Sequence, residues 1–147
     1  MSDVTNKPNI LDEIVAYKKL EIASCKELFS LEDLRKNPLF KRNPVSLKKS
    51  VLNPVKTGII TEFKRKSPSK GVINDHSFVD DVTQGYAASG SSGLSILTDF
   101  NFFGGSIDDL IIARQTNLIP ILRKEFIIDS YQIVEAKAYG ADAILLI

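Results

Sequence analysis

Glu62 and Lys64 stand two residues apart near the end of an apolar run. The stretch Gly58-Ile59-Ile60-Thr61-Glu62-Phe63-Lys64-Arg65-Lys66-Ser67-Pro68-Ser69-Lys70-Gly71 opens as a strand and closes as a loop of cations, hydroxyls and turn residues. Residues two apart on a strand share a face. The spacing therefore sets a carboxylate beside an ammonium at a strand's C-terminal end, where parallel α/β proteins build their sites. Such a pair suits an anionic substrate that needs proton transfer. Downstream, Ile119-Pro120-Ile121-Leu122-Arg123-Lys124-Glu125-Phe126 repeats the design, an apolar strand with Lys124 at its end. The bland alternatives are a surface ion pair worth ~0–1 kcal/mol and, for Ser67-Pro68-Ser69, an ordinary turn.

The chain around these residues follows a βα rhythm. Strand Ile59–Lys64 precedes a helix near Phe78–Ser89 that closes at Gly90. Strand Leu94–Thr98 leads through the Asn101–Gly105 loop to a helix at Ile107–Thr116, with Ser106 as its N-cap. Strand Ile119–Arg123 leads to a helix at Ser130–Tyr139, which Gly140 terminates, and Asp142–Ile147 starts a fourth strand. Strands recur every ~25–35 residues, as repeated βα units require. Strands this apolar are covered on both faces, which predicts a parallel sheet under helices. The predicted fold class is α/β.

Residues 1–52 read as a polar helical extension ahead of the body at 53–147. Asn9 caps a helix with a broad apolar stripe of Ile10, Ile14 and Tyr17, flanked by Leu11, Val15 and Ile22. Ser30-Leu31-Glu32-Asp33 has a weak capping-box pattern before a second short helix that ends ahead of Pro38. A third short helix is expected at Val45–Leu52.

Composition narrows the function. The 147 residues carry a formal charge of +1, which gives no overall pull toward nucleic acid. The clusters Lys64-Arg65-Lys66 and Lys41-Arg42 with Lys48-Lys49 lack interleaved aromatics, so a nucleic-acid partner is not expected. One cysteine, Cys25, excludes an intramolecular disulfide framework. With one histidine, His76, it also argues against a structural zinc site, and no metal is expected; neither residue is expected to do chemistry. No apolar run approaches the ~18 residues of a membrane span, and Met1–Ile10 lacks the apolar core of a signal peptide. A cytoplasmic location without a membrane partner is the expectation. The chain also stops inside an apolar run. It is expected to be part of a longer protein, or a half that self-associates or finds a partner.

The chain resembles the indole-3-glycerol phosphate synthase family. The resemblance is carried by Ile60 to Gly71, by Leu94-Ser95-Ile96-Leu97-Thr98-Asp99 with Phe102-Phe103-Gly104-Gly105-Ser106, and by Leu122 to Asp129 with Tyr131-Gln132-Ile133. Ala141 to Ile147 continues it. The family implies a (β/α)8 barrel of roughly 250 residues. This chain then corresponds to the N-terminal extension and the barrel as far as strand four. The family's strand-five glutamate, strand-six asparagine, strand-seven glutamate–serine pair and late phosphate loops have no counterpart in it. A phosphoribosylanthranilate isomerase relative fits less well, given the strand-three lysine motif and the long extension.

The resemblance implies ring closure, decarboxylation and dehydration of 1-(2-carboxyphenylamino)-1-deoxyribulose 5-phosphate, a phosphorylated small molecule, in tryptophan biosynthesis. Lys124 matches the general acid that protonates the ketone oxygen. Lys64 matches the lysine that contacts the substrate anions, and Glu62 its hydrogen-bonding neighbour. Ser67 matches a serine of the pocket; Phe103, Phe126 and Leu146 match its walls. No cofactor is implied, because protonated amines stabilise the developing charge. Asp99 and Arg123 are expected to tie loops together rather than react. A noncatalytic half-barrel that pairs with a complementary C-terminal half is the alternative.

Overall fold

The computed structural model describes residues 9–147. The first eight residues of the 1–52 extension, and with them most of Met1–Ile10, lie outside the described residues.

Helix α1 (Ile10–Leu28) starts where the Asn9 side chain accepts the Asp12 N–H and the Asp12 carboxylate accepts the Asn9 N–H. Ser30 and Asp33 build the same reciprocal box at α2 (Leu31–Lys36), so the motif there is complete. Each box satisfies donors that a helix start leaves unpaired. A 3₁₀ turn at Pro38–Lys41 follows, then α3 (Leu47–Val51), capped by Ser46 and shorter than expected. The apolar stripe of α1 is narrower than the sequence suggests. Ile14, Lys18 and Ile22 are its buried residues, while Ile10, Leu11 and Tyr17 stay exposed. Ion pairs explain how a lysine enters that line.

The body is β1 (Ile60–Phe63), α4 (Val79–Ala88), β4 (Gly93–Leu97), α5 (Ile107–Thr116), β5 (Ile121–Lys124), α6 (Ser130–Ala138) and β6 (Ala143–Ile144). A two-residue-per-strand hairpin, β2 (Lys66–Ser67) with β3 (Gly71–Val72), sits in the loop after β1 and turns through Gly71 at φ 66°. The four long-range strands form one parallel sheet in the order β1-β4-β5-β6, the chain order of consecutive barrel strands. Strand β5 starts after Pro120, whose ring nitrogen has no proton for the ladder; Pro120 contributes only its carbonyl, which accepts from Leu94 N–H. The expected strand Asp142–Ile147 is paired only at Ala143 and Ile144, because β5 is its one neighbour among the described residues.

Strand alternation sorts the side chains. Phe63, Leu94, Ile96 and Ile121 face the helices and pack with Val79, Leu110, Ala113 and Ala136 in the main core. Glu62, Ser95, Leu122 and Lys124 alternate with them and so occupy the opposite, concave face. At the other end of the sheet, the fully buried Asp142 carboxylate takes Arg42 at 2.7 Å and Arg114 at 2.9 Å. It also accepts the N–H groups of Val45 and Ile121. That cluster pins the N-terminal extension to the body.

Candidate active site

Glu62 is aligned with Ser95 on β4, and Ser95 Oγ donates to Glu62 Oε2 at 3.1 Å. The other carboxylate oxygen, Oε1, lies 3.0 Å from Lys64 Nζ. Lys124 ends β5 opposite Leu97, and its Nζ comes within 3.9 Å of Glu62 Oε2. One carboxylate thus stands between two ammonium groups contributed by different strands. All three side chains keep contact with solvent, at 32%, 32% and 40% exposure for Glu62, Lys64 and Lys124. Charges placed this way attract an anion and keep protons within reach of it.

An open cavity of about 510 Å³ adjoins Lys64. That is within the ~300–1,000 Å³ of small-molecule sites. Ser67, Ser69 and Lys70 supply its polar side. Phe103 and Phe126 meet across it with ring centroids 6.0 Å apart, and Ile10 and Ile14 of α1 add an apolar flank. Ser67 is buried, and its Oγ accepts from Lys70 N–H at 3.3 Å, so it shapes the turn and lines the cavity at once.

The basic run after β1 is not a free cationic patch. Lys64 is held by Glu62. The Arg65 guanidinium pairs through both terminal nitrogens with Asp109 and lies 4.7 Å over the Phe63 ring. Lys66 Nζ donates to the Asn101 carbonyl at 2.6 Å. Three consecutive cations therefore serve three separate contacts, two of which fasten the loop over the strand ends.

Sequence comparison agrees with this geometry. Residues 11–147 match the family model described as Indole-3-glycerol phosphate synthase. The chain belongs to the indole-3-glycerol phosphate synthase family. Its α/β architecture, with four parallel strands in chain order, is that of a partial (β/α)8 barrel. It is 46% identical over 140 residues to an indole-3-glycerol phosphate synthase of Bacteroides thetaiotaomicron, covering 95% of this chain and 53% of that protein. The corresponding enzyme of Prochlorococcus marinus is 48% identical over 141 residues, covering 95% of this chain and 48% of that protein. That of Burkholderia ambifaria is 44% identical over 141 residues, covering 95% and 54%. The chain spans about half the length of the curated relatives it matches.

Within this synthase-family frame the structure brings together Glu62, Lys64, Lys124, Ser67, Phe103 and Phe126. Leu146 is not brought in. It lies past β6 at 71% exposure, and it does not line the cavity. The register that pairs Ala143 with Leu122 puts Ala143 on the Lys124 face and Ile144 on the other, and β6 ends there.

Asp99 and Arg123 tie loops together. Asp99 Oδ1 accepts from the N–H groups of Phe102 and Phe103 at 2.7 and 3.2 Å. Arg123 donates to Thr98 Oγ1 at 3.0 Å and to Glu135 at 2.7 Å. Sequence reasoning missed the group that joins these loops, Lys18. Its Nζ is 3.0 Å from Asp99, 3.1 Å from Glu125 and 3.0 Å from Glu21, with a side chain 0% exposed. Burial alone would lower the Lys18 pKa, but Glu125, Asp99 and Glu21 outweigh it and hold the ammonium above its ordinary value. The sequence signal was a lysine four residues after Ile14 and four before Ile22, in the middle of an apolar line.

The two residues set aside as chemically silent are placed apart from the cavity lining. His76 is exposed, with its Nε2 3.1 Å from Asp75. Burial, then Glu135 and Glu21, pushes the Cys25 thiol up, away from thiolate chemistry. Among the described residues no helix is long and apolar enough to cross a membrane.

Proposed function

We propose that this chain supplies the N-terminal half of an indole-3-glycerol phosphate synthase active site. The substrate is 1-(2-carboxyphenylamino)-1-deoxyribulose 5-phosphate. Its ring carbon bearing the carboxylate attacks the ketone carbon while Lys124 gives a proton to the ketone oxygen. Loss of CO₂ restores the electron pair to the ring, and loss of water completes the indole. Lys64 draws in the substrate anions, and Glu62 holds both ammonium groups in place. Ser67 closes the pocket near Lys64, and Phe103 and Phe126 stack about the aromatic ring. The observation that carries this reading is the Glu62 carboxylate flanked by Lys64 and Lys124 at 3.0 and 3.9 Å, beside an aromatic-walled cavity. Charge held in fixed positions before reaction is the largest common source of rate enhancement.

The rest of the barrel comes from further sequence of the same polypeptide or from a separate C-terminal half-barrel, and the setting is the cytoplasm. The test is a product assay on the full-length polypeptide that carries this chain, with and without any co-purifying half-barrel. Formation of indole-3-glycerol phosphate from the carboxyphenylamino substrate is expected. A folded, complete barrel that forms none would overturn the assignment and favour a noncatalytic assembly role.

A further inference from the structure

We propose that Lys18 is a positioning residue for the reaction: from helix α1 it sets the separation of the two aromatic walls, Phe103 and Phe126. This rests on the synthase reading above. The link runs through two buried carboxylates, each of which divides its work. Asp99 Oδ1 accepts from Phe102 and Phe103 N–H, while Oδ2 lies 3.0 Å from Lys18 Nζ. Glu125 Oε1 accepts from Phe126 N–H at 2.9 Å and lies 3.1 Å from the same Nζ. Its Oε2 accepts from Thr98 Oγ1 at 2.8 Å, which fastens β5's loop back to β4.

One ammonium therefore joins the two anions that hold the backbone of the two walls. Asp99 follows β4 and Glu125 follows β5, so without Lys18 the loops would meet as like charges in a dry environment, with only Arg123, 3.8 Å from Glu125 Oε2, left as a cation on the β5 side. They would move apart or take up protons. The ring centroids stand 6.0 Å apart with this link in place. Lys18 does not itself line the cavity, but Ile14, one turn earlier on the same helix, does. A lysine that only anchored α1 could use any exposed carboxylate, as Lys26 does with Asp129 on the outer surface. Lys18 instead spans the two groups that hold the wall loops, and Glu21 completes its coordination.

The test uses the full-length protein with two variants, Lys18→Met and the triple Lys18→Met, Asp99→Asn, Glu125→Gln. The triple keeps side-chain size and, at each position, an amide oxygen that can accept the wall N–H groups; it gives up the second acceptor at position 125 and removes both facing anions, so no unpaired buried charge remains to unfold it. In whichever variant folds, KM should rise by about tenfold while kcat falls by no more than about threefold, as expected of a displaced binding wall. Amide exchange at Phe102, Phe103 and Phe126 should quicken by about tenfold, while Ile96 inside β4 keeps its protection. A folded variant with unchanged KM and unchanged exchange at those amides overturns the proposal and leaves Lys18 as an anchor. Wild-type protein that is folded but inactive overturns the synthase reading instead. Exchange at the three amides then decides whether Lys18 positions the walls.

Discussion

Lys124 Nζ reaches Glu62 Oε2, 3.9 Å away, across the whole width of the intervening strand β4. The contact exists because Glu62 near the end of β1 and Lys124 at the end of β5 both lie on the concave face, and because Ser95 between them is small. Ser95 also donates to the same oxygen that Lys124 approaches. The carboxylate is thereby held from below while the ammonium stays half-exposed above it. An ammonium placed this way is free to move without breaking a tight ion pair.

Replacing Lys124 with alanine should consequently cost activity, not fold. The side chain contributes no core contact, and its loss leaves Glu62 paired with Lys64 and Ser95. On the proposed synthase reading, kcat of the full-length protein should drop by about 10²–10⁴-fold, the usual worth of general acid catalysis. Steady-state kinetics with circular dichroism on the same sample checks it. Near-wild-type turnover in a folded variant would remove Lys124 from the proton-transfer role.

Gly105 offers a test of the scaffold. A Cβ there would sit 2.5 Å from the Leu97 carbonyl carbon and 2.9 Å from Thr98 N, both backbone atoms that cannot swing aside. Gly105 N–H also donates to the Asp99 carbonyl at 2.8 Å. Gly105→Ala should destabilise the protein by about 3 kcal/mol and displace the Phe103 loop. Gly85→Ala in α4 meets nothing within 4 Å and should be neutral or slightly stabilising. Urea titration of the pair reads the contrast; equal midpoints would show that the loop yields at no cost.

The sequence carried local rules well and long-range ones poorly. Ser106 caps α5 and Gly140 ends α6 at positive φ, as their residue types require. The two-residue spacing of Glu62 and Lys64 was enough to bring them to one face, because strand geometry alone decides it. Lys18 was illegible as a buried residue, since its partners Asp99 and Glu125 arrive from β4 and β5 only when the chain has folded. Helix periodicity could mark the position as inward but could not name what neutralises it. The place of Leu146 depends on long-range information in the same way. Alternation fixes a face only once register is known, and pairing of Ala143 with Leu122 sets that register. The small hairpin of β2 and β3 follows from Gly71's positive φ, although the turn residues alone fit an irregular loop equally well.

Tyr131 makes a prediction with a definite sign. Its hydroxyl points to the carbonyls of Cys25 and Phe29, each at 3.1 Å, at the end of α1. Burial, then the nearby Glu135, pushes the phenol up to about 12 from its ordinary value of 10.0. Between those two values the folded state keeps a proton that the unfolded state has lost. This contribution to stability is therefore complete below pH 10 and declines as pH climbs toward about 12. Tyr131→Phe has no such proton. Below pH 10 it should be less stable than the wild type by about 1 kcal/mol, the worth of a typical hydrogen bond. Its disadvantage should then narrow steadily through the window, because lysine titration is common to both proteins and cancels in the difference. Urea midpoints for the two full-length proteins, measured from pH 8 to pH 12, would read the difference directly. A gap that stays constant across that range would mean that the phenol titrates alike in both states, and that its contacts with α1 do not hold its proton.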